Sequence, residues 1–268
     1  MKSINILKLG GSVITYKNSH ILKVRKKLII KIGENLKDSQ NIKPQNLILI
    51  HGAGSFGHQI AKKYHLQDGI KNQPEKWPAV IQTKLLCQKL NSEILNLLNQ
   101  NLPIFPIQTS SVIINKNKII SKFNLKPIQF ALKNNLIPLL YGDMVFDEKL
   151  DASICSGDTI AAYLAKKLNI NKIFFASDID GVYNDDPFKN PRAKLIKEIN
   201  ITSLINNHSI SESHHTDVTG GLKGKLGEFF DIKKFPSLQE IIIFNGLREK
   251  NYYQILTNNN IKCTRIFL

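Results

Sequence analysis

The chain is poor in the residues that staple small secreted proteins together and in the runs that cross membranes. It has three cysteines in 268 residues, Cys87, Cys155 and Cys263. They lie far apart, make no C-x-x-C pair and leave an odd one over. That excludes a disulfide framework and points to a reduced, cytosolic protein with buried thiols. No stretch approaches 18 uncharged apolar residues, so no membrane span is expected. The opening MKSINILKLGG breaks its apolar run at Asn5 and Lys8 and reads as a strand, not a signal peptide. Acids are scarce too: 21 Asp and Glu stand against 37 Lys and Arg, a formal net charge of +16. Such a surplus favours anionic partners, from nucleotides and phosphorylated metabolites to RNA or a membrane surface. Yet no five or six basic residues follow one another, and the densest run, Lys23 to Lys31, is interleaved with Leu28, Ile29 and Ile30. A nucleic-acid footprint is clustered, so no nucleic-acid partner is expected. Internal repeats and low-complexity linkers are missing as well.

What is present is ordinary globular composition, 42% hydrophobic and 22% charged, arranged as short apolar strands alternating with helical patterns. Strands are expected at Ile4–Leu9, Leu47–Ile50, Ile104–Ile107, Ile137–Tyr141, Lys172–Ala176 and Glu240–Phe244. Helices are expected over about 20–37, 57–64, 77–98, 157–168 and 221–230. Val112–Ile114 and Ile119–Ser121, joined by Asn115-Lys116-Asn117-Lys118, read as a hairpin. This rhythm predicts one α/β unit with a mostly parallel sheet covered on both faces. Its loops of interest should lie at the carboxyl ends of the strands.

Four glycine turns follow strands or open helices: KLGGS (8–12), HGAGSFGH (51–58), SGD (156–158) and DVTGGLKGK (217–225). Glycine lets backbone N–H groups approach an anion closely, and a helix N-terminus adds partial positive charge. One such turn is also an ordinary tight turn; several in one α/β chain, two with lysines attached, point to a polyphosphate held from several sides. Gly52 to Gly57 satisfies the G-x-G-x-x-G pattern of dinucleotide-binding proteins. That pattern needs an acid about 20 residues on, at the end of the next strand. Here the region reads GIKNQPEKWPAV, and the next strand, PIFPI, has no acid. The flanking His51 and His58 have no part in that scheme either. G-x-x-x-x-G-K-S/T is absent, which excludes a P-loop.

Lysines are the next signal. Lys8 ends the first strand, Lys17 follows the first glycine turn, and Lys223 and Lys225 sit in the last. Phosphoryl transfer is chiefly positioning and charge neutralisation, which converging lysines supply. Most lysines are solvated surface charges; Lys8, at the buried end of an apolar strand, needs a partner. Asp158 is the candidate.

KLGGS, SDIDGVYNDDP (177–187) and DVTGGLKGK resemble the amino acid kinase superfamily. Within it, HGAGSFGH, LLYGDMVFD (139–147) and SGDTIAAYLA (156–165) are most similar to the isopentenyl phosphate kinases. The motifs keep the family's order from Lys8 to about Lys225. Ala53 replaces a glycine frequent in that family, and Tyr16 stands where Asp is frequent. The resemblance implies a three-layer αβα sandwich that moves the γ-phosphoryl of ATP, with Mg²⁺, onto isopentenyl phosphate. It implies an acceptor-binding lobe over about 1–150 and a nucleotide-binding lobe over about 151–268, and a cytoplasmic homodimer. Carried over by position, Lys8, Gly10, Gly11, Ser12 and Gly54 cradle ATP phosphates, with Asp178, Gly221 and Lys225 at the nucleotide. Ala53, Gly54, His58 and Gly157 contact the acceptor phosphate, while Lys17 stabilises transition-state charge and Asp158 orients the lysines. The acceptor's hydrocarbon tail is expected near Trp77, Val80 and Ile81. No protein metal site is expected; His20, His65, His208, His214 and His215 match no motif.

Three other readings stay open at this point. A sister kinase acting on fosfomycin, a carboxylate or UMP would share most of the motifs. A non-catalytic nucleotide-binding regulator on the same fold would tolerate loss of Lys8, Lys17, Asp158 or Lys225, all of which are present. A basic RNA-binding protein would show salt-dependent RNA retention.

Overall fold

Strand β1 (Ile4–Leu9) alternates its side chains between two apolar layers, and the rest of the molecule is arranged around it. A computed structural model describes residues 3–16, 22–39, 43–201, 229, 234–257 and 259–268. β1 pairs in parallel with β2 (Leu47–His51) on one side and with β9 (Ile170–Ser177) on the other. β6 (Ile137–Tyr141) and β3 (Ile104–Pro106) extend the sheet beyond β2, and β13 (Glu240–Asn245) extends it beyond β9, all in parallel. β14 (Cys263–Phe267) then runs antiparallel to β13 and carries the short edge strand β12 (Glu198–Asn200). The sheet has eight strands in the order β12-β14-β13-β9-β1-β2-β6-β3. The chain leaves β1 for β2 on one side and reaches β9 on the other, so the carboxyl end of β1 is a topological switch point, where α/β sheets open a crevice.

Leu7 and Leu9 face a layer formed by α2 (Lys26–Asp38), α4 (Trp77–Leu98) and α8 (Lys250–Leu256), with Ile29, Ile32, Leu90, Ile94 and Tyr252 buried there. Ile6 faces the opposite layer, where α6 (Lys126–Lys133) and α7 (Gly157–Lys167) bury Ile128, Ile160 and Leu164. The result is a mixed α/β sandwich of three layers around a mostly parallel sheet.

Beside it stands a four-stranded sheet, β5-β4-β7-β8, built from β4 (Ile113–Lys116), β5 (Ile119–Phe123), β7 (Asp143–Asp147) and β8 (Asp151–Cys155). One carboxylate joins its two turns. Asp147 accepts from the backbone N–H groups of Asn117, Lys118, Lys149 and Leu150 and from the Ser153 hydroxyl, at 2.8–3.1 Å. A smaller pair, β10 (Val182–Tyr183) and β11 (Leu195–Ile196), is tied to the main sheet through Thr264 of β14, whose hydroxyl accepts from Val182 N–H and donates to the Ile196 carbonyl.

Several boundaries differ from expectation, each for a local reason. The helix expected from residue 20 begins at Lys26, because Val24 forms an antiparallel bridge with Thr15 and Arg25 N–H donates to the Ile14 carbonyl. The expected hairpin turns in two residues, Asn117 and Lys118, both at positive φ, and Val112 belongs to the single helical turn α5 (Thr109–Val112) before it. Strands β7, β8, β10, β11, β12 and β14 and helix α8 carry no sequence expectation. The helix expected at 221–230 lies, apart from Phe229, outside the described residues. Among the described residues no helix is long and apolar enough to cross a membrane.

Candidate active site

Lys8 is the penultimate residue of β1, just before the strand gives way to glycine. It is 8% exposed. Its ammonium reaches across to the first turn of α7, 2.8 Å from Oδ1 of Asp158, and lies 6.0 Å from the centre of the Phe175 ring. Ser156 caps α7, its hydroxyl accepting from Thr159 N–H at 3.0 Å. The partner required for a buried lysine is therefore delivered by a capped helix start.

Two glycine turns meet beside it. Gly10 and Gly11 lead into the short helix α1 (Gly11–Ile14), and the 51–58 loop leads into α3 (Gly54–Lys63). That helix begins three residues earlier than expected, so the glycine loop is itself its first turn. A Cβ on Gly11 would stand 2.6 Å from the Cα of Gly54. Gly54 has φ +53°, and a Cβ there would lie 2.5 Å from Oγ1 of Thr15. Neither position accepts a side chain without moving backbone. Thr15 stitches the turns together: its hydroxyl donates to the Gly11 carbonyl at 2.8 Å and accepts from Ser55 N–H at 3.0 Å.

Two pockets open at this junction. One, the more polar of the two, is lined by Gly10, Ser12, Thr15, Gly54 and Asp178, among others. The other is lined by Ala53, Gly157 and Asp158 and by the apolar groups of Ala61, Met144, Ile154 and Cys87. Lys8, Gly11 and His58 line both and form the wall between them. Gly54, His58 and Ala61 follow one face of α3, at i, i+4 and i+7. The N-termini of α3 and α7 both open into the second pocket, an arrangement that favours an anion there.

The structure thus brings Lys8, Gly10, Gly11, Ser12, Ala53, Gly54, His58, Gly157, Asp158 and Asp178 to one junction. Gly54, expected at both ligands, lines the polar pocket only. Lys17, Gly221 and Lys225 lie outside the described residues, as do His20, His208, His214 and His215. Trp77, Val80 and Ile81, expected at the acceptor's tail, are not among the residues that line the second pocket, although Ala61 and Met144, which do, share a core with Val80. Val80 is buried in a satellite core with Ala79, Leu66 and Ile70, Trp77 packs against that core, and Ile81 is 54% exposed. Thr83 and Cys87, one helical turn apart on the buried stripe of α4, face the pocket instead.

Residues outside the expected set complete the second pocket. Asp143 lines it from β7 and pairs with Lys84 of α4 at 3.1 Å, and Lys84 also donates to Ser110. Burial pushes the Asp143 carboxyl above its ordinary range, with Lys84 opposing. Burial likewise pushes the Cys87 thiol up to about 12, so it sits in the wall as an inert apolar group. Behind the loop, His51 is fully buried and stacks on Tyr141 with ring centres 5.4 Å apart. Among the described residues no group of three or more His, Cys, Asp or Glu side chains stands where it could hold a metal ion.

The family model described as amino acid kinase matches residues 3–245. The isopentenyl phosphate kinase of Methanothermobacter thermautotrophicus is 33% identical over 97% of this chain and 98% of its own length. That of Methanocaldococcus jannaschii is 35% identical over 94% and 95%. A crystal structure of isopentenyl phosphate kinase superposes with a TM-score of 0.83 at 28% identity, covering 98% of this chain and 99% of its own. Carbamate kinase from Giardia lamblia, 14% identical with a TM-score of 0.65, shares the fold.

Proposed function

The chain belongs to the amino acid kinase family, and on that premise we propose that it transfers the γ-phosphoryl group of ATP to isopentenyl phosphate, releasing ADP and isopentenyl diphosphate. One observation carries this reading: two pockets, one more polar and one more apolar, share a wall made of Lys8, Gly11 and His58. The polar pocket suits the triphosphate, with Gly10, Gly11, Ser12 and Gly54 at its phosphates and Asp178 toward the nucleoside. The second suits a phosphate monoester with a hydrocarbon tail: Ala53, His58 and Gly157 meet the phosphate, and Ala61, Cys87, Met144 and Ile154 meet the tail.

The chemistry follows from the wall. A phosphate monoester has a second pKa near 6 and is largely a dianion at neutral pH. It needs no general base; one of its oxygens attacks the γ-phosphorus while the bond to the β-bridging oxygen breaks and ADP leaves. Two anions must first be brought together, and Lys8 supplies charge at their meeting point. Asp158 holds that lysine in place, and the helix starts of α3 and α7 offset the acceptor's charge. His58 donates an imidazole N–H to one acceptor oxygen and fixes it in line with ATP. On family resemblance alone, Gly221 and Lys225 join the nucleotide site and Lys17 stabilises charge in the transition state. Mg²⁺ enters with ATP as part of the substrate, held through phosphate oxygens and retained water. On the same resemblance the acceptor lobe comprises about residues 1–150 and the nucleotide lobe about 151–268, in a cytoplasmic homodimer.

A coupled ADP-release assay with isopentenyl phosphate, dimethylallyl phosphate, fosfomycin and UMP in parallel tests the reading. The prenyl monophosphates should be turned over with the highest kcat/KM. Faster turnover of fosfomycin or UMP would reassign the acceptor.

A further inference from the structure

His51 opens the glycine loop but takes no part in the transfer described above. Its ring is 0% exposed and lies at the end of β2, beneath the loop. Nδ1 is 2.9 Å from the carbonyl oxygen of Gly52, and Nε2 is 3.1 Å from Oδ1 of Asn91 on α4. We propose that His51 is a positioning residue for the acceptor phosphate: by holding the Gly52 carbonyl it aims the Ala53 N–H into the phosphate pocket.

The peptide that joins Gly52 to Ala53 links the ring to the pocket. No peptide bond in the described chain is cis, and across a trans peptide the carbonyl and the N–H point in opposite directions. A carbonyl anchored on the buried imidazole therefore sends the Ala53 N–H the other way. Ala53 lines the acceptor pocket together with Gly142, and a Cβ built on Gly142 would stand 3.6 Å from the Ala53 nitrogen. Among the described residues no protein acceptor takes that N–H. A donor aimed into a pocket with no protein partner is what a phosphate oxygen requires.

Gly52 is also why an anchor is needed. A glycine turns its adjoining peptides over at little cost, and a reversed peptide would present the carbonyl oxygen to an anion. Burial holds the His51 pKa down to about 4, so the ring is neutral at physiological pH. A neutral ring that donates through Nδ1 has a bare Nε2, which calls for the Asn91 amide turned so that its NH₂ faces the ring. Stacking on Tyr141 and the bond to α4 leave the imidazole one orientation.

This inference rests on the reading that the loop holds the acceptor phosphate, and the test separates the two. With the nucleotide site filled by a non-hydrolysable ATP analogue, orthophosphate binding is titrated by phosphorus NMR for wild type, His51→Leu and His51→Asn. Leu keeps the bulk and loses the donor, while the Asn amide nitrogen falls where Nδ1 lies. The Leu variant should bind at least tenfold more weakly, and the Asn variant within threefold of wild type. In turnover, the KM for isopentenyl phosphate should rise in parallel with the KM for ATP unchanged. A folded Leu variant within threefold of wild type overturns the proposal, as do Leu and Asn variants equally impaired. Should the Leu variant fail to fold, the Asn variant decides, a tenfold loss counting against. A wild type that ignores isopentenyl phosphate would remove that acceptor, and the orthophosphate comparison would still judge His51.

Discussion

At His58 a single ring lines both pockets. An imidazole N–H donates in either charge state, so in the proposed transfer the residue's worth lies in its donor. His58→Ala should lower turnover by about 10²–10³, in the manner of a lost oxyanion donor, with ATP binding by calorimetry unchanged. His58→Gln, which keeps an N–H, should lose less. An Ala variant within about threefold of wild type, a difference below about 1 kcal/mol, would remove His58 from the phosphate. Asp147 makes a different prediction. Burial alone would raise its pKa, but the backbone N–H groups of Lys118, Lys149 and Asn117 and the Ser153 hydroxyl outweigh that and hold it down to about 2, from 3.8. A depressed carboxylate stabilises the fold above its unfolded pKa, and the contribution is lost as pH falls through the folded value. The window is therefore about pH 5 down to pH 2, and the amount about 2 kcal/mol. Asp147→Asn should be destabilised by about that much at pH 7 and should show a shallower loss of stability on acidification. Urea unfolding at pH 7, 4 and 3 reads both, and parallel curves for the two proteins would refute the linkage.

Among the elements, the β7–β8 hairpin decides how wide the acceptor pocket is, since it contributes Asp143, Met144, Ile154 and Cys155. Ile154→Ala should open the pocket and raise kcat/KM for longer prenyl phosphates, and Cys87→Leu should raise the KM for isopentenyl phosphate. Ile81→Ala, on the exposed side of α4, should leave chain-length preference unchanged. A panel of prenyl monophosphates of increasing length checks all three; a shifted preference in the Ile81 variant would restore the wall expected from the sequence. That expectation shows where sequence reading stops. The parallel strands were legible because buried runs such as Leu47–Ile50 and Ile137–Tyr141 are apolar at every position. Helix α4 was legible to the residue from its apolar period. Which of its faces meets the pocket was not, because Val80 and Ile81 are equally apolar and only the neighbouring α3 and β7 tell them apart. The hairpin itself went unread because its strands mix inward acids, Asp143 and Asp147, with apolar residues. Buried carboxylates break the alternation that marks a strand. The glycine turns and Lys8 were legible as candidates for one site, since their chemistry is local, and the fold brings three of the four turns together. Asp143 with Lys84, 59 positions apart, and His51 with Asn91, 40 apart, are partnerships that only the fold creates.

For the whole molecule, the place of β14 matters most. It lies inside the sheet, between β13 and β12, and Ile266 and Thr264 are fully buried. Through its hydroxyl, Thr264 also steadies Val182, within the SDIDGVY segment that carries Asp178, and Ile196 of β11. The order of synthesis therefore matters. β12 leaves the ribosome with no neighbour to pair with, and at about 5–20 residues per second it waits several seconds for its partner. Once β13 has been made, and until β14 arrives, the nascent chain exposes two open sheet edges, at β13 and at β12, and such edges invite pairing with other chains. The first half can already bury β1, β2 and β6 against α2 and α4, but half of the transfer site has nothing to brace it. A chain ending at residue 262 should consequently aggregate and bind no ATP, while the full chain refolds to activity. Wild-type solubility and turnover from that truncation would show that the penultimate position in the sheet is dispensable. If it is not, a ribosome that pauses before residue 263 holds an unfinished enzyme, and the residues of β14 are the ones that switch it on.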